Sequence, residues 1–163
     1  MQRLLRNAFS GWFSLPRLFP AEAMRRIRDV VAEGERHHAG ELCVAIESRY
    51  SPFAILDGLG TRQRAEQVFS LLRVWDTRDN SGVLLYLQLA ERRVELVADR
   101  GIAARVEPER WQAICDDFSA EMRTQAPEQA VLNCLGRINA LLVRHFPAES
   151  DNPRELPDEP VVL

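Results

Sequence analysis

Apolar residues recur along this chain at two spacings, and the alternation between them lays out a succession of helices and strands. After Pro20, a residue suited to a first helical position, Met24, Ile27, Val30, Val31 and Gly34 share one helix face. His37 and His38 close that helix near Gly40, which accepts a left-handed exit. Leu42-Cys43-Val44-Ala45-Ile46 is apolar without alternation, as in a strand covered on both faces. Residues 49–60 hold Pro52, Asp57, Gly58 and Gly60 and read as a loop. Helical spacing returns at Ala65, Val68, Phe69 and Leu72. The run over residues 83–89 is nearly all apolar, which predicts a central strand. A short turn, Ala90-Glu91-Arg92, then leads into a hairpin partner over residues 93–98. Pro108 opens a helix with Trp111, Ile114, Cys115, Phe118 and Met122 on its face. Pro127 opens another, with Val131, Cys134, Leu135, Ile138, Leu141 and Leu142. This order of elements predicts a three-layer α/β/α sandwich: a small mixed sheet with a βαββ-containing core and flanking helices.

The pattern divides the chain into three regions. Residues 1–19 carry Arg3, Arg6 and Arg17 without an acid, and pair Leu4/Leu5, Ala8/Phe9 and Trp12/Phe13 at helical spacing. Two readings of this basic amphipathic segment stand: peripheral contact with a membrane surface, or packing of its aromatic face on the protein's own core. It lacks the long apolar run and cleavage site of a secretory signal, and no stretch reaches the ~18 apolar residues of a spanning helix. Residues 20–146 form the body. Residues 147–163 hold Pro147, Pro153, Pro157 and Pro160 and five acids against one arginine, and are expected to be extended or disordered. The closing Pro160-Val161-Val162-Leu163 is apolar enough to dock.

Composition narrows the function classes. A net charge of −3 gives no electrostatic case for nucleic acid. All 21 basic residues are arginine, so lysine Schiff-base chemistry and the phosphate-binding P-loop are excluded. Cys43, Cys115 and Cys134 are too scattered for a disulfide framework or a zinc site, and each lies in an apolar run. A reducing, cytoplasmic compartment follows, with peripheral attachment at the inner membrane left open. No organic cofactor is implied.

Several segments resemble the TPM-domain family in the right order. Val74-Trp75-Asp76-Thr77-Arg78-Asp79-Asn80-Ser81-Gly82-Val83-Leu84-Leu85-Tyr86 is similar to the family's DNGVLL-like opening of the central strand, with Ser81 interrupting the usual Asn-Gly pair. The run from Ala90 to Ile102 resembles the hairpin and glycine turn that follow. His37-His38-Ala39-Gly40-Glu41-Leu42, Arg64-Ala65 and Glu155-Leu156-Pro157-Asp158 resemble the short bacterial branch without a membrane span. After Met122, where relatives tend to have glycines, the chain reads Arg123-Thr124-Gln125-Ala126-Pro127. The resemblance implies a βαββ-containing sandwich and two competing roles. Thylakoid members are described as acid phosphatases acting in photosystem repair; bacterial members often accompany LemA-type membrane proteins.

Strand polarity supplies an independent clue. Strands joined by a helix run parallel in a right-handed crossover, so the predicted strands near 42 and 82 start at one rim, and the hairpin partner finishes there. His37, His38, Glu41, Asp76, Asp79, Asn80, Asp99 and Arg100 then gather at that rim. Asp76, Asp79, Asn80 and Asp99 are hard oxygen donors of the kind Ca²⁺ or Mg²⁺ takes, which makes the three acids the candidate catalytic set. Arg100 offers a planar fork to phosphate, with His37, His38 and Glu41 as further ligand-binding candidates. Against this, Asp, Asn, Ser and Gly before a strand are turn formers in their own right. Open α/β sheets also bind ligands at the carboxyl ends of their strands, the opposite rim.

Cys43 and Arg49 have the spacing of cysteine phosphatases, but strand-forming residues lie between them in place of a glycine-containing phosphate loop. There is no GxSxG, HExxH or GxGxxG. His145 reads as a helix end, and Glu107, Glu109, Asp116 and Asp117 as a solvated helix face. Two functions remain. One is a non-enzymatic binding or adaptor module acting near a membrane with a protein partner, of which a LemA-type membrane protein is the candidate. The other is a divalent-metal-dependent acid phosphatase.

Overall fold

The computed structural model describes Asn7, residues 15–148 and residues 154–163. Within them the elements are α1 (Leu15–Leu18), α2 (Ala21–Gly34), β1 (Glu41–Glu47), α3 (Pro52–Leu56), α4 (Thr61–Leu71), β2 (Gly82–Gln88), β3 (Arg93–Ala98), α5 (Arg100–Ala103), α6 (Pro108–Glu121), α7 (Pro127–His145) and β4 (Val161–Val162). The sheet order is β3-β2-β1-β4. β1 runs parallel to β2 and to β4, while β2 and β3 are antiparallel. The predicted mixed sheet and its layers are therefore present.

Side chains that alternate along the strands divide the core into two. Leu42, Val44 and Ile46 of β1, with Val83, Leu85 and Leu87 of β2, join α2, α6 and α7 in the larger cluster. Cys43, Ala45, Leu84 and Tyr86 point to the other face, where Ala65 and Val68 of α4 cover them. Every residue of β1 and β2 is buried, as their unbroken apolar runs predict. Neighbouring β3, an outer strand, is less uniformly covered: Arg93 is exposed, while Val94, Leu96 and Val97 are buried.

Several boundaries differ from the sequence reading. The stretch read as a loop over 49–60 contains α3. Ser51 caps it, its Oγ accepting the Ala54 N–H at 3.1 Å, and Pro52 occupies the first turn. That Ser-Pro pair is a helix-start signal which the surrounding glycines outweighed. Helix α2 stops at Gly34, and the residues after it form a turn in which His38 bridges to Pro147. Of the basic amphipathic segment, Leu15, Leu18 and Phe19 pack on the larger core. Asn7 is also buried, while Trp12, Phe13, Arg3 and Arg6 lie outside the described residues.

The described part of the proline-rich C-terminal segment is extended and docked. Val161 and Val162 pair with Ala45 and Ile46, and the Leu163 N–H donates to the Ile46 carbonyl at 3.0 Å. Leu156 and Leu163 pack on the smaller core. Composition alone argues against such docking. Two apolar anchors and a free strand edge supply it.

Candidate functional site

The rim predicted from strand polarity exists in the backbone. The Asp99 N–H donates to the Gly82 carbonyl at 2.8 Å, which places the end of β3 against the start of β2. Asp99 caps α5, its Oδ1 accepting the Arg100 N–H at 2.7 Å. Arg100 Nε donates to the Asn80 side chain at 2.8 Å, and the Gly101 N–H to the Asn80 carbonyl at 3.0 Å. A Cβ at Gly101 would press on the carbonyls of Asp79 and Asn80, so the two loops meet as closely as backbone allows. Ser81 is accommodated by a left-handed Asn80 (φ 53°) and by the Thr77 hydroxyl, which accepts the Ser81 N–H at 2.9 Å. Gly82 keeps its place because any side chain there would collide with the Val74 carbonyl.

The carboxylates on this rim are arranged differently from one another. Asp76 is exposed and paired with Arg73 at 2.6 Å; Asp79 is exposed and paired with Arg78 at 3.4 Å. Asp99 Oδ2 is buried without a hydrogen-bond partner. Among the described residues, no three His, Cys, Asp or Glu side chains stand close enough together to hold a metal ion. The rim thus brings Asp79, Asn80, Asp99 and Arg100 together through backbone and short polar contacts. Asp76 is turned to its own neighbour.

The remaining candidates have partners elsewhere in the structure. His37 is exposed and lies 3.3 Å from Glu33, one helical turn back. His38 is fully buried, its Nε2 3.1 Å from Asn139 Oδ1, and burial lowers its pKa. Glu41 is buried as well, and its Oε2 accepts the N–H groups of Glu155 and Leu156 at 3.0 and 2.9 Å. Cys43 faces the smaller core with its thiol pushed up to about 12 by burial, which removes it as a nucleophile.

The opposite rim, at the carboxyl ends of β1 and β2, holds a polar network that the sequence reading did not assemble. Glu47, the last residue of β1, is gripped by Arg64 through Nε and Nη2, both at 2.9 Å. The buried Tyr86 hydroxyl donates to the same carboxylate, and lies 3.3 Å from the Tyr50 hydroxyl. Burial, then the Glu47 bond, pushes the Tyr86 phenol far up, and the carboxylate raises Arg64. Asn7 reaches this end too, its Oδ1 accepting the Tyr50 N–H at 2.8 Å. Beside the network opens a cleft of about 480 Å³ lined by Glu47, Tyr50, Ser51, Asp57, Gln63 and Arg64, among others. The signal that pointed here was the general preference of α/β sheets for ligands at strand carboxyl ends, together with a lone acid ending an apolar run.

These features define an α/β/α sandwich built on a parallel pair and a hairpin, with one polar rim at each end of the pair. The sequence model of the TPM domain matches residues 16–141, and the chain belongs to that family. Its fold is similar to that of the BA42 protein from the psychrophilic bacterium Bizionia argentinensis, solved by NMR. The two share 24% identity at a TM-score of 0.76, over 88% of this chain and 94% of that one. No curated protein sequence matches.

Proposed function

We propose that the protein is a non-enzymatic binding module that works near a membrane with a protein partner. The observation that carries this reading is the layer formed by α3, α4 and the turn after α4. There Phe53, Leu56, Leu71 and Trp75 are 76%, 70%, 64% and 48% exposed. Large apolar side chains left in water, where they adjoin, suit a surface that another protein covers. None of the described helices is long and apolar enough to cross a membrane. A LemA-type membrane protein in proteoliposomes is the first partner to test. The full chain should co-sediment with it and not with empty liposomes, and Phe53→Ser with Leu56→Ser should release it. Equal retention of the double variant counts against the reading.

A second reading, a metal-dependent phosphomonoesterase, is favoured by one observation: the partnerless, buried Oδ2 of Asp99 beside Asp79 and Asn80. Those oxygens suit a hard divalent ion in type, although the three-acid grouping expected from sequence is not among the described residues. A divalent ion bound there would supply charge for a phosphate oxygen and acidify water. Hydrolysis of nitrophenyl phosphate that requires Ca²⁺ or Mg²⁺ and is lost in Asp99→Asn would support it. Activity that survives both Asp99→Asn and Asp79→Ala belongs to a contaminant.

A further inference from the structure

The cleft beside Glu47 has no part in either reading above, and it opens where the chain changes face. Leaving β1, the backbone passes through α4, which covers the face of the sheet that carries Cys43 and Tyr86. It comes back to β4, on the other side of β1, after α6 and α7 have covered the opposite face. Parallel strands whose connections part in this way leave a crevice outside their carboxyl ends, and ligands of α/β sheets lie there. At about 480 Å³ the cleft falls within the range of small-molecule sites.

The cation in its lining is Arg64, and its orientation is fixed. Nε and Nη2, on one side of the planar guanidinium, both meet Glu47 at 2.9 Å. Glu47 is held in turn by the buried Tyr86 hydroxyl. The far side of the guanidinium carries Nη1, which lies 3.4 Å from the Oε1 of Gln67, another lining residue. That contact is long for a hydrogen bond, and the Arg64 side chain is 24% exposed. The outer pair of N–H groups, one on each Nη, is therefore left for a planar oxyanion. With Glu47 balancing the guanidinium, the fork offers shape rather than surplus charge, which suits a singly charged carboxylate better than a dianionic phosphate. Asp57, at the end of α3, lines the same cleft, stands exposed and forms no ion pair among the described residues. A fork that accepts a carboxylate and an acid without a cation together complement a zwitterion.

We infer that this cleft binds a small zwitterion of the amino-acid type, its carboxylate on the outer edge of Arg64 and its ammonium on Asp57. A free α-amino acid and a dipeptide share that chemistry and differ in how far apart they hold the two charges. The site stands at the opposite rim from Asp79 and Asp99, and holds for an enzyme as for an adaptor.

Ligand-detected NMR with the full-length protein tests it, taking free α-amino acids and dipeptides one at a time at millimolar concentration. At least one should bind, with amide shifts at Glu47, Tyr50, Ser51 and Arg64; whether it is an amino acid or a dipeptide gives the separation of the charges. Its methyl ester, which lacks the anion, and its N-acetyl form, which lacks the cation, should each bind at least about ten-fold more weakly, one charge contact apiece. Asp57→Asn should erase the penalty for acetylation and keep that for esterification. Arg64→Lys leaves Glu47 a cation but removes the planar fork, and should erase the penalty for esterification instead. No binding by any of these ligands, shifts confined to other parts of the protein, or equal binding of the zwitterion and both blocked forms overturns the inference. So does an acetylation penalty that survives Asp57→Asn. Asp57 stands in water, so that variant decides the matter even where Arg64→Lys fails to fold.

Discussion

Two sets of acids, one at each end of the parallel strand pair, are held under opposite regimes. At the starting end, Asp76 and Asp79 stand in water and pair with arginines one to three residues away. At the finishing end, Glu47 sits 7% exposed and its partners, Arg64 and Tyr86, arrive from 17 and 39 residues away. Short-range pairs in water form whether or not the rest of the molecule is in place, and contribute little. Long-range bonds to a dry carboxylate exist only in the folded chain, and losing one partner leaves a charge with nowhere to go. Asp76 and Asp79 are free to take other partners; Glu47 is locked in the fold, with a cleft beside it.

Substitutions can break that contrast. Arg64→Ala should cost the most, about 3 kcal/mol in urea-induced unfolding, because Glu47 would be left buried without its cation. A loss below about 0.5 kcal/mol would place Glu47 in the same regime as the surface pairs. Glu35→Gln tests a third, tail-side acid and has the opposite sign. Glu35 stays protonated in the folded chain over a range where the unfolded chain has ionised, so stability falls as pH rises from 4.5 to about 8. The amide keeps an acceptor for the Leu42 N–H, now taken by Glu35 Oε1 at 2.9 Å. The variant should therefore match the parent near pH 4 and exceed it by about 1–2 kcal/mol at pH 8. Thermal melts across that range decide it; parallel curves would refute it. Asp76→Ala should be the mildest, within about 0.5 kcal/mol, because its arginine is as exposed as the acid. A larger change would show that the rim acids are coupled.

Much of this was legible beforehand, for definite reasons. Strands covered on both faces need unbroken apolar runs, and residues 42–46 and 83–87 supply them. Helices with a single buried stripe announce themselves by spacing, as α6 and α7 do through Phe118, Leu135 and Ile138. Polarity then followed from the helix between the parallel strands, and it placed Asp99 beside Gly82 correctly. Side-chain partnership was not legible. Nothing in the order of residues says that Glu41 spends its carboxylate on two backbone N–H groups 114 and 115 positions on. Nor does it say that Arg64 turns inward to Glu47 while Arg73 turns outward to Asp76. Short elements were missed for a related cause. A five-residue helix such as α3, or a two-residue strand such as β4, carries too few positions to show a period.

The pairing of β1 with β4 has a consequence for how the molecule is made. Ala45 must wait for Val161, which leaves the ribosome after more than a hundred further residues have been added. Until then the backbone groups along that side of β1 have no strand to meet, and a nascent chain in that state offers a ready template to its neighbours on a polysome. Residues more than a hundred positions downstream of β1 are thus the ones that cover this side of the sheet.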